Sequence, residues 1–379
     1  MTVSRLWCAR LTLTDFRSHA AFDLALDERP VCLHGPNGAG KTNILEALTM
    51  LAPGRGLRGA ALMDVARGGA EAAADRVRPW TVSAHIMSNG DDLVLGAGAE
   101  RTDIGVKRIA RLDGRPATAG DLARAARMTW LTPAMDRLFA GSAGDRRRFF
   151  DRLVLGRAPE HGQAAAAYER AMRDRQRLLN EHSRDGAWLG ALEREMAAHA
   201  CAIAAARLET LERLQETIDS RPDGAFPKAR MALEGALEAA FAEGRASADI
   251  EDEFIAALAR GRGRDAAAGR TLEGPHRSDL LVRHAPKDMP AEHCSTGEQK
   301  ALLLGLILAH GRALAEDPGA GPALLLLDEA AAHLDPVRRA ALFDELLALP
   351  GQAWLTGTEP ALFEAFGDRA QMIAVGDPG

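Results

Sequence analysis

Ten residues near the N-terminus have the composition of an anion cradle: His34-Gly35-Pro36-Asn37-Gly38-Ala39-Gly40-Lys41-Thr42-Asn43. Glycines let backbone N–H groups turn inward around a phosphate, and a helix starting at the loop's end adds its partial positive charge. Lys41 is the cation for the β- and γ-phosphates. Thr42 offers a hydroxyl to the Mg²⁺ ion that accompanies a nucleoside triphosphate. The flanks supply the elements such a loop requires: Val31-Cys32-Leu33 is a short apolar run suited to a buried strand, and Ile44-Leu45-Glu46-Ala47-Leu48 is amphipathic. Strand, glycine loop and helix make a Walker A phosphate loop, which predicts binding of ATP or GTP. Asn37 and Asn43 frame it; Asn43 is expected near the metal, or in a capping or packing role.

A second group of residues suits the cleavage of that phosphate. Ala323-Leu324-Leu325-Leu326-Leu327 is the continuous apolar run of a parallel strand covered on both faces. Asp328 and Glu329 stand at its carboxyl end, where the active groups of such sheets gather. Asp328 is read as holding Mg²⁺ through water, and Glu329 as the general base that polarises the attacking water. Upstream, Ser295-Thr296-Gly297-Glu298-Gln299-Lys300 opens an apolar helix over Ala301 to Ala309. A Ser-x-Gly-x-Gln helix start presents a hydroxyl, bare backbone N–H groups and a dipole to an anion, which makes Ser295, Gly297 and Gln299 candidate nucleotide contacts. The chain's own phosphate loop already surrounds its nucleotide, so this second anion site is expected to meet the γ-phosphate held by another copy. Alone, Ser295 reads as an N-cap. Beyond the carboxylates come His333-Leu334-Asp335. Asp335 is expected at the seam between copies, although a helix cap before Pro336-Val337-Arg338 fits the same residues.

The order of these motifs resembles an ABC-type ATPase head, with Ser295 in the signature and Leu334-Asp335 as a D-loop. The stretch from Lys41 to Ser295 is longer than a transporter ATPase subunit carries and too short for the arms of an SMC protein. Leu13-Thr14-Asp15-Phe16-Arg17-Ser18-His19 is similar to the opening strand and turn of RecF proteins. Gly274-Pro275-His276-Arg277-Ser278-Asp279 resembles a block of the same family, as does Arg146-Arg147-Arg148-Phe149-Phe150-Asp151 after the segment Trp130 to Pro133. On these residues the chain is identified as a member of the RecF family. The resemblance implies an α/β ABC-type P-loop head with a mixed sheet and an inserted helical arm. It implies ATP as the nucleotide, with Mg²⁺, and His276 and Arg277 close to the nucleotide or the interface. It further implies an ATP-driven homodimer on gapped DNA or double-strand/single-strand junctions, a weak ATPase used as a switch, and RecR, RecO and RecA as partners. Two departures stand out. Many RecF proteins resemble Asp-Asp where Asp328-Glu329 stands. The switch histidine of ABC transporters is replaced by Thr356-Gly357-Thr358, where a hydroxyl can bond a γ-phosphate but brings no charge, so slow hydrolysis is expected. No Q-loop glutamine stands near Leu131-Thr132-Pro133. A transporter-type ATPase and an SMC-like tether are the competing readings.

Composition bounds the class. At 379 residues, with 47% hydrophobic and 26% charged positions, the chain has material for sizeable cores, and no apolar run approaches a membrane span. The four cysteines are dispersed without metal-ligand spacing, which reads as reduced thiols in a cytoplasmic protein. The RecF resemblance implies association with the nucleoid, and no membrane partner is expected. The net charge of −6 excludes a uniformly basic DNA-binding surface and leaves local runs: Arg55 with Arg58, Lys107-Arg108 with Arg111, Arg146-Arg147-Arg148, and Arg260-Arg262-Arg264. Each fits a solvated face as well as a phosphate track. Along the chain, residues 11–16 and 21–26 read as a hairpin. Residues 81–87, 92–96 and 104–112 read as an antiparallel edge, with Asp113-Gly114 as its tight turn. Residues 1–144 and 265–379 are expected to form the head, and 145–264 a short helical arm. In the arm Leu189, Leu192, Met196 and Ile203 share one face and Leu211, Leu214 and Ile218 another. Asp185-Gly186 and Arg221-Pro222-Asp223-Gly224 punctuate the helices. A further helix is expected over 231–241, and Gly261, Gly263 and Gly269 are expected to mark a flexible return.

Overall fold

The structure, a computed structural model, describes residues 5–68, 79–88, 90–102, 105–181, 185–332 and 334–376. His333 and the expected strand start at Ile104 lie outside them. In chain order come β1 (Leu6–Phe16), β2 (His19–Ala25), β3 (Val31–His34), α1 (Lys41–Thr49), β4 (Thr81–Ser88), β5 (Asp91–Thr102), β6 (Gly105–Leu112), β7 (Arg115–Pro116), α2 (Ala119–Ala125) and β8 (Arg127–Leu131). Then follow α3 (Ala143–Arg157), α4 (His161–Asn180), α5 (Gly186–Ser220), β9 (Ala229–Glu234), α6 (Ala236–Ala242), α7 (Ser247–Ala268), β10 (Asp279–His284) and β11 (Met289–Pro290). The chain ends with α8 (Thr296–Glu316), β12 (Ala323–Leu327), α9 (Pro336–Ala348), β13 (Ala353–Gly357) and β14 (Gln371–Ala374). These elements pack as two units: residues 1–136, 222–227 and 295–379 form the first, and 137–221 and 228–294 the second. The head was expected to resume at residue 265; by packing, the second unit continues to Cys294.

In the first unit, parallel and antiparallel pairings fall in two sheets. One is antiparallel, in the order β2-β1-β4-β5-β6-β7. Its inward face follows strict alternation: Leu11 and Leu13 on β1, and Val82, Ala84 and Ile86 on β4, are buried. Phe16 meets Trp80 edge-on at 5.6 Å, closing that core. The turn between β6 and β7 is the expected two-residue turn, with Asp113 and Gly114 both at positive φ (50° and 75°). The other sheet runs β14-β3-β13-β12-β8, every pairing parallel. All five residues of β12 and of β13 are buried, as continuous apolar runs between covering layers require. The register pairs Leu327 with Leu131 and with Leu355, and Gly357 with His34. The carboxyl ends of β3, β8, β12 and β13 therefore finish together.

The second unit packs α3 to α7 with the small antiparallel sheet β11-β10-β9. The helix α5 runs unbroken for 35 residues, about 52 Å at 1.5 Å per residue. Leu189, Leu192, Met196 and Ile203, then Leu214 and Ile218, are buried along it, so the change of phase in the sequence is one helix changing its packing face. Two expectations are corrected here. Residues 231–234 belong to a strand, because β10 supplies an antiparallel partner in register (Leu233 with Leu280, Met231 with Val282) and Met231 alternates in burial with its neighbours. The outer edge of that strand is closed by Gln215, whose amide donates to Ala229 O (3.2 Å) and accepts from Met231 N (3.0 Å). Gly261 and Gly263 lie inside α7, which the surrounding helix formers carry through. Only Gly269 ends the helix, in the left-handed conformation (φ 64°).

Candidate nucleotide site

The phosphate loop lies between β3 and α1 as its sequence requires. Gly38 and Gly40 have φ of 85° and 93°, and a Cβ on Gly40 would fall 2.6 Å from His19 Nε2 and 2.8 Å from Ser18 Oγ. Only glycine meets both demands. Among the described residues no side chain caps α1, which leaves its first N–H groups to the loop. Lys41 is buried, and its ammonium donates to Gly35 O (2.7 Å) and Pro36 O (2.8 Å), inside the curve of the loop. Pro36, Asn37 and Gly38 are exposed at its rim, whereas Ala39 packs into the core.

Behind the loop is a brace that the motif reading did not contain. Asn43 donates to Ser18 Oγ (2.8 Å) and accepts from Arg58 (2.8 Å). Glu46, wholly buried, receives Arg17 on both carboxylate oxygens (2.9 and 2.7 Å) and Arg58 on one (3.2 Å). Asn43 is thereby part of this brace, with Ser18 from the run Arg17-Ser18-His19.

The carboxylates meet the loop across the sheet ends. Thr42 donates to Asp328 Oδ1 (3.0 Å), and Thr356 donates to the same oxygen (2.7 Å). Glu329 N donates to Thr356 Oγ1 (2.9 Å). Thr356 is 1% exposed, with its single hydroxyl hydrogen on Asp328. It therefore holds the carboxylate pair in place, where the sequence reading had offered it to a γ-phosphate. Glu329 is exposed and has φ 51°, a left-handed backbone on a non-glycine residue. Thr42 Oγ1 and Asp328 Oδ1 are hard oxygen donors at one point. That fits Mg²⁺, which takes one or two protein oxygens and completes its shell with water and phosphate. Among the described residues no cluster of three or more acidic, His or Cys groups forms a protein cage for a metal.

The helix α8 begins as read. Ser295 closes a capping box with Glu298: its Oγ accepts from Glu298 N (3.4 Å) and bonds the Glu298 carboxylate (3.0 Å). Ser295, Thr296 and Gly297 are exposed, while Gln299 and Lys300 turn inward and are buried. Asp335 caps α9 by accepting from Arg338 N (2.9 Å) and remains about half exposed, and Val337 beside it is 76% exposed.

The Gly-Pro-His-Arg block is taken up within the second unit. Tyr168 donates to His276 Nδ1 (2.8 Å), and His276 Nε2 donates to Thr271 O (3.0 Å). Burial holds His276 below the usual histidine range. Asp279 pairs with Arg146 (2.5 Å), Arg147 donates to Ser278 O (2.8 Å) and Arg207 to Pro275 O (2.8 Å). The run Arg146-Arg147-Arg148 thus braces its own unit, the last member pairing with Asp145. Elsewhere Arg108 donates to the carbonyls of Met50, Ala52 and Gly54 after α1, Arg262 pairs with Glu193 and Arg264 with Glu273. Of the four basic runs, Arg55, Lys107, Arg111 and Arg260 are left exposed without an ion pair among the described residues. The four cysteines are free and buried, and burial pushes Cys8 and Cys32 up to about 12, so both are inert thiols. No helix among the described residues is long and apolar enough to cross a membrane.

Parallel strands ending at a Walker loop, a carboxylate pair and a signature helix define an ABC-type ATPase head, and the RecF/RecN/SMC N terminal domain family matches residues 8–363. The DNA replication and repair protein RecF of Rhizobium meliloti (strain 1021) is 51% identical over 98% of this chain and 97% of its own length. RecF of Agrobacterium fabrum (strain C58 / ATCC 33970) is 50% identical over 100% and 99%. The chain belongs to the RecF family of DNA replication and repair proteins. A solved structure of the recombination mediator protein RecF-ATPrS in the RecFOR pathway superposes with a TM-score of 0.81 at 19% identity, covering 99% of this chain and 97% of that one. An Smc head domain from Pyrococcus furiosus gives 0.53 at 16%, covering 98% and 94%. Both share the fold.

Proposed function

We propose that this chain is an ATP-gated DNA-binding protein whose hydrolysis acts as a release switch. The observation that carries the reading is the chain of hydrogen bonds Thr42–Asp328–Thr356–Glu329 at the mouth of the Lys41 loop. It brings a phosphate cradle, a metal-binding oxygen pair and an exposed carboxylate to one place. ATP lies in the loop, with the backbone of Gly35 and of Asn37 to Gly40 giving N–H groups and Lys41 meeting the β- and γ-phosphates. Thr42 and Asp328 would hold Mg²⁺, which supplies neutralisation of the charge shared by those phosphates. Glu329 takes a proton from the water that attacks the γ-phosphorus, the bond from that phosphorus to the bridging oxygen breaks so that ADP leaves with it, and Lys41 stays on the oxygens that gain charge.

The exposed helix start at Ser295 and Gly297 supports a second contact to the γ-phosphate, from another copy, with Asp335 at the same seam. ATP then joins two copies, and the pair holds DNA that neither holds alone. Because Thr356 is bound to the carboxylates and no histidine stands beside it, the γ-phosphate lacks one electrostatic partner. Hydrolysis is accordingly slow, by roughly 10²–10³ against an ATPase that has one. The solved RecF structures carry ATP or ATPrS and belong to the RecFOR pathway, which supports ATP as the nucleotide and partners in recombination; gapped or junction DNA, RecR, RecO and RecA are what the family resemblance implies.

The test is DNA retention at fixed salt with and without ATP. Lys41→Met is expected to abolish ATP-dependent retention. Normal ATP affinity and normal retention in that variant would overturn the site assignment.

A further inference from the structure

The side chain of Lys300, in the signature stretch, reaches the catalytic loop. It sits in the second turn of α8, five residues after the exposed Ser295, and its side chain is buried. Its ammonium lies 3.1 Å from Ala332 O, 3.4 Å from Glu329 O and 3.5 Å from Asp136 Oδ2. An ammonium has three hydrogens, and three acceptors surround this one. Each belongs to a different part of the first unit's active end. Glu329 O is the peptide oxygen of the carboxylate pair. Ala332 O closes the turn in which Ala332 N donates back to Glu329 O (3.1 Å). Asp136 ends the segment that follows β8, where no water-positioning glutamine stands.

That contact bears on a strained point. Glu329 has φ 51°, a left-handed backbone state that is unfavourable on a non-glycine residue and persists only where its surroundings fix it. Two groups hold it from opposite sides: Thr356 Oγ1 accepts the Glu329 N–H, and Lys300 donates to the Glu329 carbonyl. The Thr356 contact is anchored in the sheet. The Lys300 contact is anchored on α8, whose exposed first turn is the segment a second copy's nucleotide would touch.

We infer that Lys300 is a positioning residue: it fixes the Glu329 peptide and ties the aim of that carboxylate to the position of the signature helix. When a nucleotide on the other copy draws the start of α8, the ammonium carries the shift to the Glu329–Ala332 turn. Each copy's base is then aligned only when its signature is engaged, so idle hydrolysis by a single copy is suppressed. The inference rests on the reading of Glu329 as the base and Ser295 as a contact in trans.

The test uses the full chain and five variants: Lys300→Gln, Lys300→Arg, Asp136→Asn, Glu329→Gln and the double variant Lys300→Gln with Glu329→Gln. A fluorescent ATP analogue gives affinity, and steady-state phosphate release gives kcat and KM. Lys300→Gln is expected to lower kcat roughly 10- to 100-fold, the scale of a misplaced catalytic group, with analogue affinity within about 3-fold of the parent. Lys300→Arg, which keeps the charge and the donors, should recover part of that loss. Added to Glu329→Gln, Lys300→Gln should cause no further loss, because the two act through one group. A parental kcat in Lys300→Gln, with Glu329→Gln inactive, overturns the inference and leaves the base reading intact. A parental kcat in Glu329→Gln overturns the base reading and the inference with it. If Lys300→Gln melts early, Asp136→Asn decides: its acid is one-third exposed and meets the same ammonium. A lowered kcat with unchanged affinity there supports the inference, and an unchanged kcat refutes it.

Discussion

The hydroxyl of Thr356 is a small group with a large share of the site's geometry. It donates to Asp328 and accepts from the Glu329 amide, so its loss frees the metal-side carboxylate and the peptide of the base together. Thr356→Val keeps the shape, takes one of two hydroxyl donors from Asp328 Oδ1 and leaves the Glu329 N–H without its acceptor, a loss of about 1–3 kcal/mol for an unmatched group in the general case. The expected outcome is hydrolysis reduced about tenfold or more, with ATP affinity little changed because the Lys41 loop is untouched. Thr356→Ser, which retains the hydroxyl, should stay near the parent. Steady-state kinetics of the three chains check this, and an equal kcat in all of them would remove Thr356 from the site. Walker residues are legible because spacing and residue type carry their chemistry. The sequence marks Thr356 as a hydroxyl where a histidine is missing and gives no sign of its contact with the carboxylates. Its partners lie 28 and 27 residues away on another strand. That proximity arises from sheet register, which a motif does not encode.

Among the elements, the second unit is held by charged groups as much as by its apolar core. Arg175, fully buried, donates to Glu193 (3.0 Å), Asp265 (2.7 Å) and the Leu258 carbonyl (2.7 Å), joining α4, α5 and α7. Removing one partner of such a set leaves uncompensated buried charge, at about 3–5 kcal/mol. Arg175→Met should therefore lower the unfolding free energy of the full chain by an amount in that range, read as a lower urea midpoint, whereas a midpoint within error of the parent would show that the network contributes nothing. His276 adds a pH dependence. Its two ring nitrogens are matched in the neutral form, by Tyr168 and the Thr271 carbonyl, and burial holds its titration below the ordinary value of about 6.5. Above that value neither the folded nor the unfolded chain is protonated there and the contribution is whole. As pH falls below it, the unfolded chain takes up a proton that folded His276 resists, so stability is lost. Urea midpoints should drop from about pH 7.5 to about pH 5.5, and His276→Gln, with one donor and one acceptor that do not titrate, should flatten that slope. An identical slope in both chains would assign the pH dependence to other groups. The helices were legible from apolar spacing, and β3, β12 and the hairpins from short runs and turn residues. The strand at 231–234 was not, because Met-Ala-Leu-Glu is a good helical sequence until β10 provides a partner 50 residues on. The glycines inside α7 misled for the complementary reason: packing on α4 and α5 outweighs a local cost of about 1 kcal/mol each.

For the molecule as a whole, the sequence carries net −6, and most of its arginine clusters are matched internally. Single copies are therefore expected to hold DNA weakly and to lose it steeply with salt, and two copies joined by ATP to hold it well. Joining is the step on which the gated function depends. It is read most directly by light scattering on a sizing column, with Glu329→Gln to keep the nucleotide uncleaved. In saturating ATP with Mg²⁺, Glu329→Gln should run at twice the mass it shows without nucleotide. Glu329→Gln combined with Ser295→Arg should bind ATP and remain single. A Glu329→Gln chain that stays at the single mass in saturating ATP, or a Ser295→Arg chain that doubles as readily, would contradict the composite site.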